Sequence, residues 1–221
     1  MTRAVLLDAL GTLVELQPPA PRLRRLLAEV GFEVPGERAA TGFGAEIGYY
    51  LEHHLDGGDR EGLEQLRDRC AEALRAALEL PGLDHATARR VMLEALEFEA
   101  FPDAGPALRE LRAAGVRLVI ASNWDCSLAD WLGPSGLLEL VDGVATSAEV
   151  GEAKPGPAVF RRALELAAAE PAEAVHVGDS VQNDVAGARA AGIRPLLLAR
   201  AGQPPPGVEA VRSLAELPSV I

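Results

Sequence analysis

The sequence predicts an α/β protein, a parallel sheet covered by helices on both faces, with an all-helical segment inserted after the first strand. Two patterns predict it. Short apolar runs that end in small or polar residues alternate with amphipathic helical stretches, as right-handed crossovers in a buried parallel sheet require. Residues 16–100 interrupt that alternation with helical periodicity and no convincing strand.

The first strand is predicted over Arg3 to Asp8. Within the insertion, Leu23, Leu26, Leu27 and Val30 share one helix face before Gly31, and Phe43, Ile47, Tyr50, Leu51 and His54 share a second. Leu63, Leu66, Cys70, Leu74, Ala77 and Leu78 form a third, and a fourth helix starts near Asp84, an N-cap residue type, and carries Val91 and Leu96. Beyond it, a helix over Pro106 to Ala114 stops at Gly115, and strands follow at Val116 to Ser122 and Val141 to Ser147. A helix over Pro155 to Ala169 opens on a proline suited to the first turn and turns Val159, Phe160, Ala163, Leu164 and Ala167 inward. The strand Ala174 to Asp179, the helix Asp184 to Ala191 and the strand Pro195 to Ala199 complete the alternation. The expected division is a sheet domain of residues 1–15 and 101–221, with a helical domain of residues 16–100.

Composition narrows the function. The chain has 221 residues, 21 basic and 33 acidic side chains and a net charge of −12. Its arginines are interspersed with glutamates, so neither nucleic acid nor an anionic membrane is an expected partner. A 48% hydrophobic content suits one large domain or a domain with a smaller insertion. No apolar run approaches the roughly 20 residues that span a bilayer, and the first residues lack a signal-peptide pattern, so a cytoplasmic location is expected. Cys70 and Cys126 fit neither a disulfide framework nor a metal pair and are read as reduced thiols.

In an open parallel sheet, ligands bind beyond the carboxyl ends of the strands. Asp8 follows Val5-Leu6-Leu7, Ser122 and Asn123 follow Val119-Ile120-Ala121, and Asp179 follows Val175-His176-Val177-Gly178; Lys154 lies beyond the third strand of the sheet. Each has an ordinary explanation alone, as a turn former, a cap or a surface charge, and Asp184 alone reads as a helix cap. His176 reads as a core histidine. Together they place three carboxylates, Asp8, Asp179 and Asp184, at one edge, where they repel one another unless a cation stands between them. An all-oxygen site with few protein ligands suits Mg²⁺ completed by water and a substrate phosphate. Lys154 adds positive charge, Ser122 and backbone N–H groups can hold the transferring oxygens, and Asp8 can serve as nucleophile.

The four segments Asp8-Ala9-Leu10-Gly11-Thr12-Leu13, Ala121-Ser122-Asn123, Lys154-Pro155 and Gly178-Asp179-Ser180-Val181-Gln182-Asn183-Asp184 resemble, in order and spacing, the motifs of the haloacid dehalogenase superfamily of hydrolases. The likeness covers nearly the whole chain and falls in the branch with a helical cap after the first strand. It implies a Rossmann-like core and, as in most members, Mg²⁺-dependent phosphohydrolysis through an aspartyl-phosphate at Asp8. In the same reading Ser122 and Lys154 bind phosphate, joined by Thr12 and Asn123. The metal set is Asp8, the Leu10 carbonyl, Asp179 and Asp184.

One departure stands out. Phosphatase members carry an acid two residues after the nucleophile, and this chain carries Leu10, which cannot transfer a proton. General acid–base groups typically contribute roughly 10²- to 10⁴-fold, so a slow enzyme, good leaving groups or an acid from the cap is implied. The alternative is a 2-haloacid dehalogenase, whose halide leaves without a proton and whose Asp-Ala-x-Gly-Thr motif fits Asp8 to Thr12. Against it stand the metal-binding form of the last motif and the lack of an arginine close behind the first motif, where the next is Arg22, to hold a substrate carboxylate. A third reading is a catalytically weak binder of a phosphometabolite or a protein partner. The expected substrate is a small phosphorylated molecule, selected by the cap. Tyr49, Tyr50, His53 and His54 are its polar candidates, with Tyr50 and His54 on the apolar stripe and Tyr49 and His53 off it. Trp124 and Cys126 can either line the entrance or pack.

Overall fold

The computed structural model describes residues 2–221. Six parallel strands form the main sheet in the order β5-β4-β1-β6-β7-β8: β1 Ala4–Leu7, β4 Arg117–Ser122, β5 Gly143–Thr146, β6 Ala174–Gly178, β7 Arg194–Leu198 and β8 Ala210–Val211. Two further strands, β2 (Val14–Leu16) and β3 (Phe98–Ala100), form a separate ribbon. All four β1 residues are fully buried, which is why their sequence is uninterrupted Ala-Val-Leu-Leu instead of alternating. The chain builds outward from β1 to β4 and β5, then returns to place β6, β7 and β8 on the other side. That reversal opens a crevice beyond the carboxyl end of β1.

Successive side chains of a strand point to opposite faces. Ala4 and Leu6 of β1 and Val119 and Ala121 of β4 accordingly share one core with Val159, Phe160, Ala163 and Leu164, the inward stripe of a helix over Ala158–Ala167.

Contacts divide the chain into two compact units, residues 1–15 with 99–221 and residues 16–98, and the chain passes between them through the β2–β3 ribbon. The second unit contains α1 (Pro19–Glu29), α2 (Gly36–His53), α3 (Arg60–Leu78) and α4 (His85–Ala95). Leu23, Leu27, Phe43, Leu66, Leu74, Leu78, Val91 and Met92 form its own core. Asp59 and Asp84 cap α3 and α4, accepting from the Gly62 and Thr87 N–H groups at 2.8 and 2.9 Å. Gly42 lets α2 approach α3 closely, because a Cβ there would come within 2.8 Å of Leu78.

Several local expectations are corrected. Leu51 is 64% exposed instead of on the buried stripe, whereas Tyr49 packs partly buried against the helical core and stacks on His53 at 4.1 Å. Strand structure occurs at the margins of 16–100, at Leu16 and at Phe98–Ala100. In place of one helix over Asp184 to Ala191, a π-helical turn over Val181–Ala186 precedes a short helix over Gly187–Ala190.

Candidate active site

The register of the sheet assembles the site. Leu7 of β1 pairs with Ile120 on one side and with Val177 on the other, so Asp8 emerges between Ser122, at the end of β4, and Asp179, just past the end of β6. After Asp8 the chain turns sharply. The Ala9 carbonyl accepts from the N–H groups of Thr12, Leu13 and Val14 at 3.2, 2.8 and 3.0 Å, and Gly11 takes φ +81°. Glycine is required there twice over, since a Cβ would also lie 2.1 Å from Asp179 Oδ2.

Lys154 is the centre of the arrangement. Its Nζ donates to Asp8 Oδ1 at 2.7 Å and to Asp184 Oδ1 at 2.6 Å, and Ser122 Oγ donates to the same Asp8 oxygen at 3.0 Å. Asp8, Ser122, Lys154 and Asp184 are all buried. Both of these hydrogen bonds to Asp8 fall on Oδ1, and neither engages Oδ2. Asn123 holds Lys154 through its main chain: Lys154 N donates to Asn123 Oδ1 at 2.6 Å, and Asn123 Nδ2 donates to the Lys154 carbonyl at 3.0 Å. Asn123, assigned to phosphate on the sequence, here has its amide on the backbone of the lysine.

Asp184 is aimed back at the strand ends by the π-helical turn. The Ser180 carbonyl accepts from Asp184 N and Val185 N at 2.9 and 3.1 Å, and Ser180 N returns a bond to Asp184 Oδ2 at 2.9 Å. Gly178 makes room for it, because a Cβ would sit 2.2 Å from Asp184 Cγ. His176 Nε2 adds a contact at 2.9 Å to Asp184 Oδ1. The histidine expected in the core is fully buried, and it also touches the site, through a turn that no strand pattern foretells.

The electrostatics divide the three carboxylates. Burial raises the Asp184 carboxyl, but His176 and Lys154 outweigh it and hold the group below the usual carboxylate range. Burial likewise lowers the Lys154 ammonium, and Asp8 and Asp184 outweigh it in the other direction. Asp179 lies in the opposite situation: burial of its carboxylate, with Asp8 and Asp184 adding to it, pushes it up to about 6. Oxygens of Asp8, Asp179 and Asp184 lie within 4.8 Å of one another. Three carboxylates less one ammonium leave two negative charges among these four groups, and the donor set is all oxygen, which fits a hard divalent cation.

Two predicted members stand differently. Thr12 is fully buried, its Oγ1 has no hydrogen-bond partner, and its carbonyl accepts from Arg200 Nη2 at 2.9 Å. Leu10 is 42% exposed, in the same turn as Gly11. Trp124 is buried and Cys126 half-buried.

Comparison with known proteins decides the family. The model of the haloacid dehalogenase-like hydrolases matches residues 2–192. The chain belongs to this family. It is 43% identical over 102 residues to the haloacid dehalogenase-like hydrolase domain-containing protein 3 of Bos taurus, covering 46% of this chain and 41% of that protein. To the phosphoserine phosphatase of Thermus thermophilus it is 36% identical over 134 residues, 60% of this chain and 54% of that one. These alignments thus span about half the length of these curated relatives. Among solved structures, a 2-haloacid dehalogenase from Pseudomonas syringae superposes with a TM-score of 0.70 at 25% identity, covering 100% of this chain and 98% of that one. The Rossmann-like core and helical insertion expected of this hydrolase family are present. Both phosphatases and dehalogenases stand among its relatives. No helix among the described residues is long and apolar enough to cross a membrane.

Proposed function

We propose that this haloacid dehalogenase-like hydrolase is a Mg²⁺-dependent phosphohydrolase that transfers the phosphoryl group of a small phosphorylated molecule to Asp8. The observation that carries the reading is the Lys154 ammonium bridging two buried carboxylates beside a third, an arrangement that leaves negative charge for a divalent cation. Mg²⁺, when bound, supplies the positive charge that lets a phosphate dianion approach these carboxylates; Asp8, the Leu10 carbonyl and Asp179 would hold it, with Asp184.

Asp8 Oδ2 attacks phosphorus while the bond from phosphorus to the leaving oxygen breaks. Ser122 and Lys154 keep Asp8 Oδ1 in place, so the carboxylate presents one oxygen in a fixed direction. Lys154 then lies beside the phosphoryl oxygens and balances their charge. Asn123 fixes the main chain from which that lysine projects. Water attacking phosphorus releases phosphate and restores Asp8. Leu10 holds no proton for the leaving group, so substrates whose leaving oxygen is a weak base are favoured.

Leu10 also supports a second reading, displacement of halide from a 2-haloacid, in which the leaving group needs no proton. One panel separates them: phosphate release from activated and ordinary phosphoesters with and without Mg²⁺, and halide release from 2-haloacids, for the parent and Leu10→Asp. Phosphate release that depends on Mg²⁺ is expected. In the variant it rises for ordinary alkyl esters by about tenfold or more. Halide release indifferent to chelator would overturn the reading in favour of a dehalogenase. Silence in both assays with retained phosphate binding would make the protein a binder.

A further inference from the structure

We propose that Arg200 is a positioning residue for the reactive turn, clamping residues 9–14 through the Thr12 carbonyl. This rests on the phosphohydrolase reading for its effect on rate and on geometry alone for its effect on the turn. Arg200 lies outside the family-matched residues 2–192, in the loop after β7. Its Nη2 donates to the Thr12 carbonyl at 2.9 Å and to Asp103 Oδ1 at 2.9 Å, and Nη1 donates to Asp103 Oδ2 at 3.0 Å. The guanidinium also lies 3.8 Å from the centroid of the Phe101 ring. One flat group is therefore fixed by a carboxylate fork, by an aromatic face and by the turn that follows Asp8.

The far end of the clamp is equally fixed. Asp103 Oδ2 accepts from Ser213 Oγ at 2.6 Å and from Leu214 N at 2.9 Å. Burial raises the Asp103 carboxyl, but Arg200, Ser213 and Leu214 outweigh it and hold it below the usual range. Phe101 contributes a second tie, its N–H donating to the Leu13 carbonyl at 3.0 Å. Thr12 and Leu13 thus have their carbonyls held by two neighbouring groups of one cluster, while the Ala9 carbonyl gathers the N–H groups of the same turn. Asp8 and Leu10 lie within that turn or at its start. Their placement depends on a segment more than 180 positions away in sequence.

Lysine cannot replace this arginine, because a point charge cannot keep the fork, the stack and the carbonyl bond together. The test uses the whole 221-residue chain and compares Arg200→Ala and Arg200→Lys with Arg194→Ala, which breaks an exposed pair with Glu209 in the same unit. Hydrogen–deuterium exchange of the peptide spanning residues 9–14 is expected to speed up in both Arg200 variants and to stay unchanged in Arg194→Ala. Mg²⁺-dependent kcat is expected to fall about 10- to 100-fold with KM within about twofold. Ethylguanidinium is expected to restore part of it in Arg200→Ala. Unchanged exchange at 9–14, or kcat within about twofold of the parent in a folded Arg200→Lys, would overturn the proposal. If the parent shows no phosphate release while the Arg200 variants still loosen the turn, the phosphohydrolase reading falls and the clamp stands.

Discussion

Two buried carboxylates, one in each unit, show how differently this chain treats a charge out of water. Asp184 is buried against His176 and Lys154, which hold its carboxyl below the usual range despite the burial. Glu46 is buried on α2 in the helical unit with a hydrogen bond from Cys70, and burial pushes it from 4.5 up to about 7. The difference teaches that burial by itself does not mark a reactive carboxylate here. An ionised group is retained where the sheet delivers a lysine to it, and the helical core instead favours the protonated acid.

The largest effect falls on the nucleophile. Asp8→Asn is expected to lower Mg²⁺-dependent phosphate release by about 10⁴-fold or more. Its melting temperature should not fall, because one charge leaves a crowded acidic cluster. A folded variant with near-parental turnover would place the chemistry elsewhere.

Removing the cation that distinguishes Asp184 comes next. Lys154→Met leaves two buried carboxylates without their ammonium and is expected to cost about 3–5 kcal/mol in urea unfolding at neutral pH. The loss should shrink as pH falls and a carboxylate takes up a proton. A constant loss at all pH values would mean that packing, and not charge, holds the pair.

Glu46 has the opposite sign of pH dependence from Asp184. Its raised value means that the native state binds more protons than the unfolded chain between 4.5 and about 7, so its contribution to stability falls as pH rises through that window, by roughly 3 kcal/mol in all. Glu46→Gln should flatten the slope of unfolding free energy against pH in that range. Asp184, held low, instead contributes stability above the ordinary carboxylate value of 3.8, and that contribution is lost in acid. The smallest effect belongs to the exposed Arg194–Glu209 pair: Arg194→Ala should shift unfolding by less than about 1 kcal/mol, with the shift screened by salt.

The strand ends were legible because an apolar run with a polar terminus is a local pattern, and the register then sets Asp8 beside Ser122 and Asp179. Helices α1, α3 and α4 were legible from their stripes, and Asp84 from its capping chemistry. Three-residue strands such as β2 and β3 carry too few positions for a period to show. Leu51 lies off the face of α2 that packs through Ala39, Phe43, Glu46 and Tyr50, and its apolar side chain gives no local sign of that. The contact of His176 with Asp184 depends on the π-helical turn, and Arg200 reaches Thr12 only through tertiary folding. Neither has a signature in a single stretch of sequence.

The most direct measurement is mass analysis of the peptide carrying Asp8 after acid quench of the enzyme turning over an activated phosphoester with Mg²⁺. A phosphoryl group on Asp8, absent in Asp8→Asn and absent without the metal, is the predicted result. Steady phosphate release with no phosphoryl group ever trapped on Asp8, and equal release by Asp8→Asn, would contradict the account.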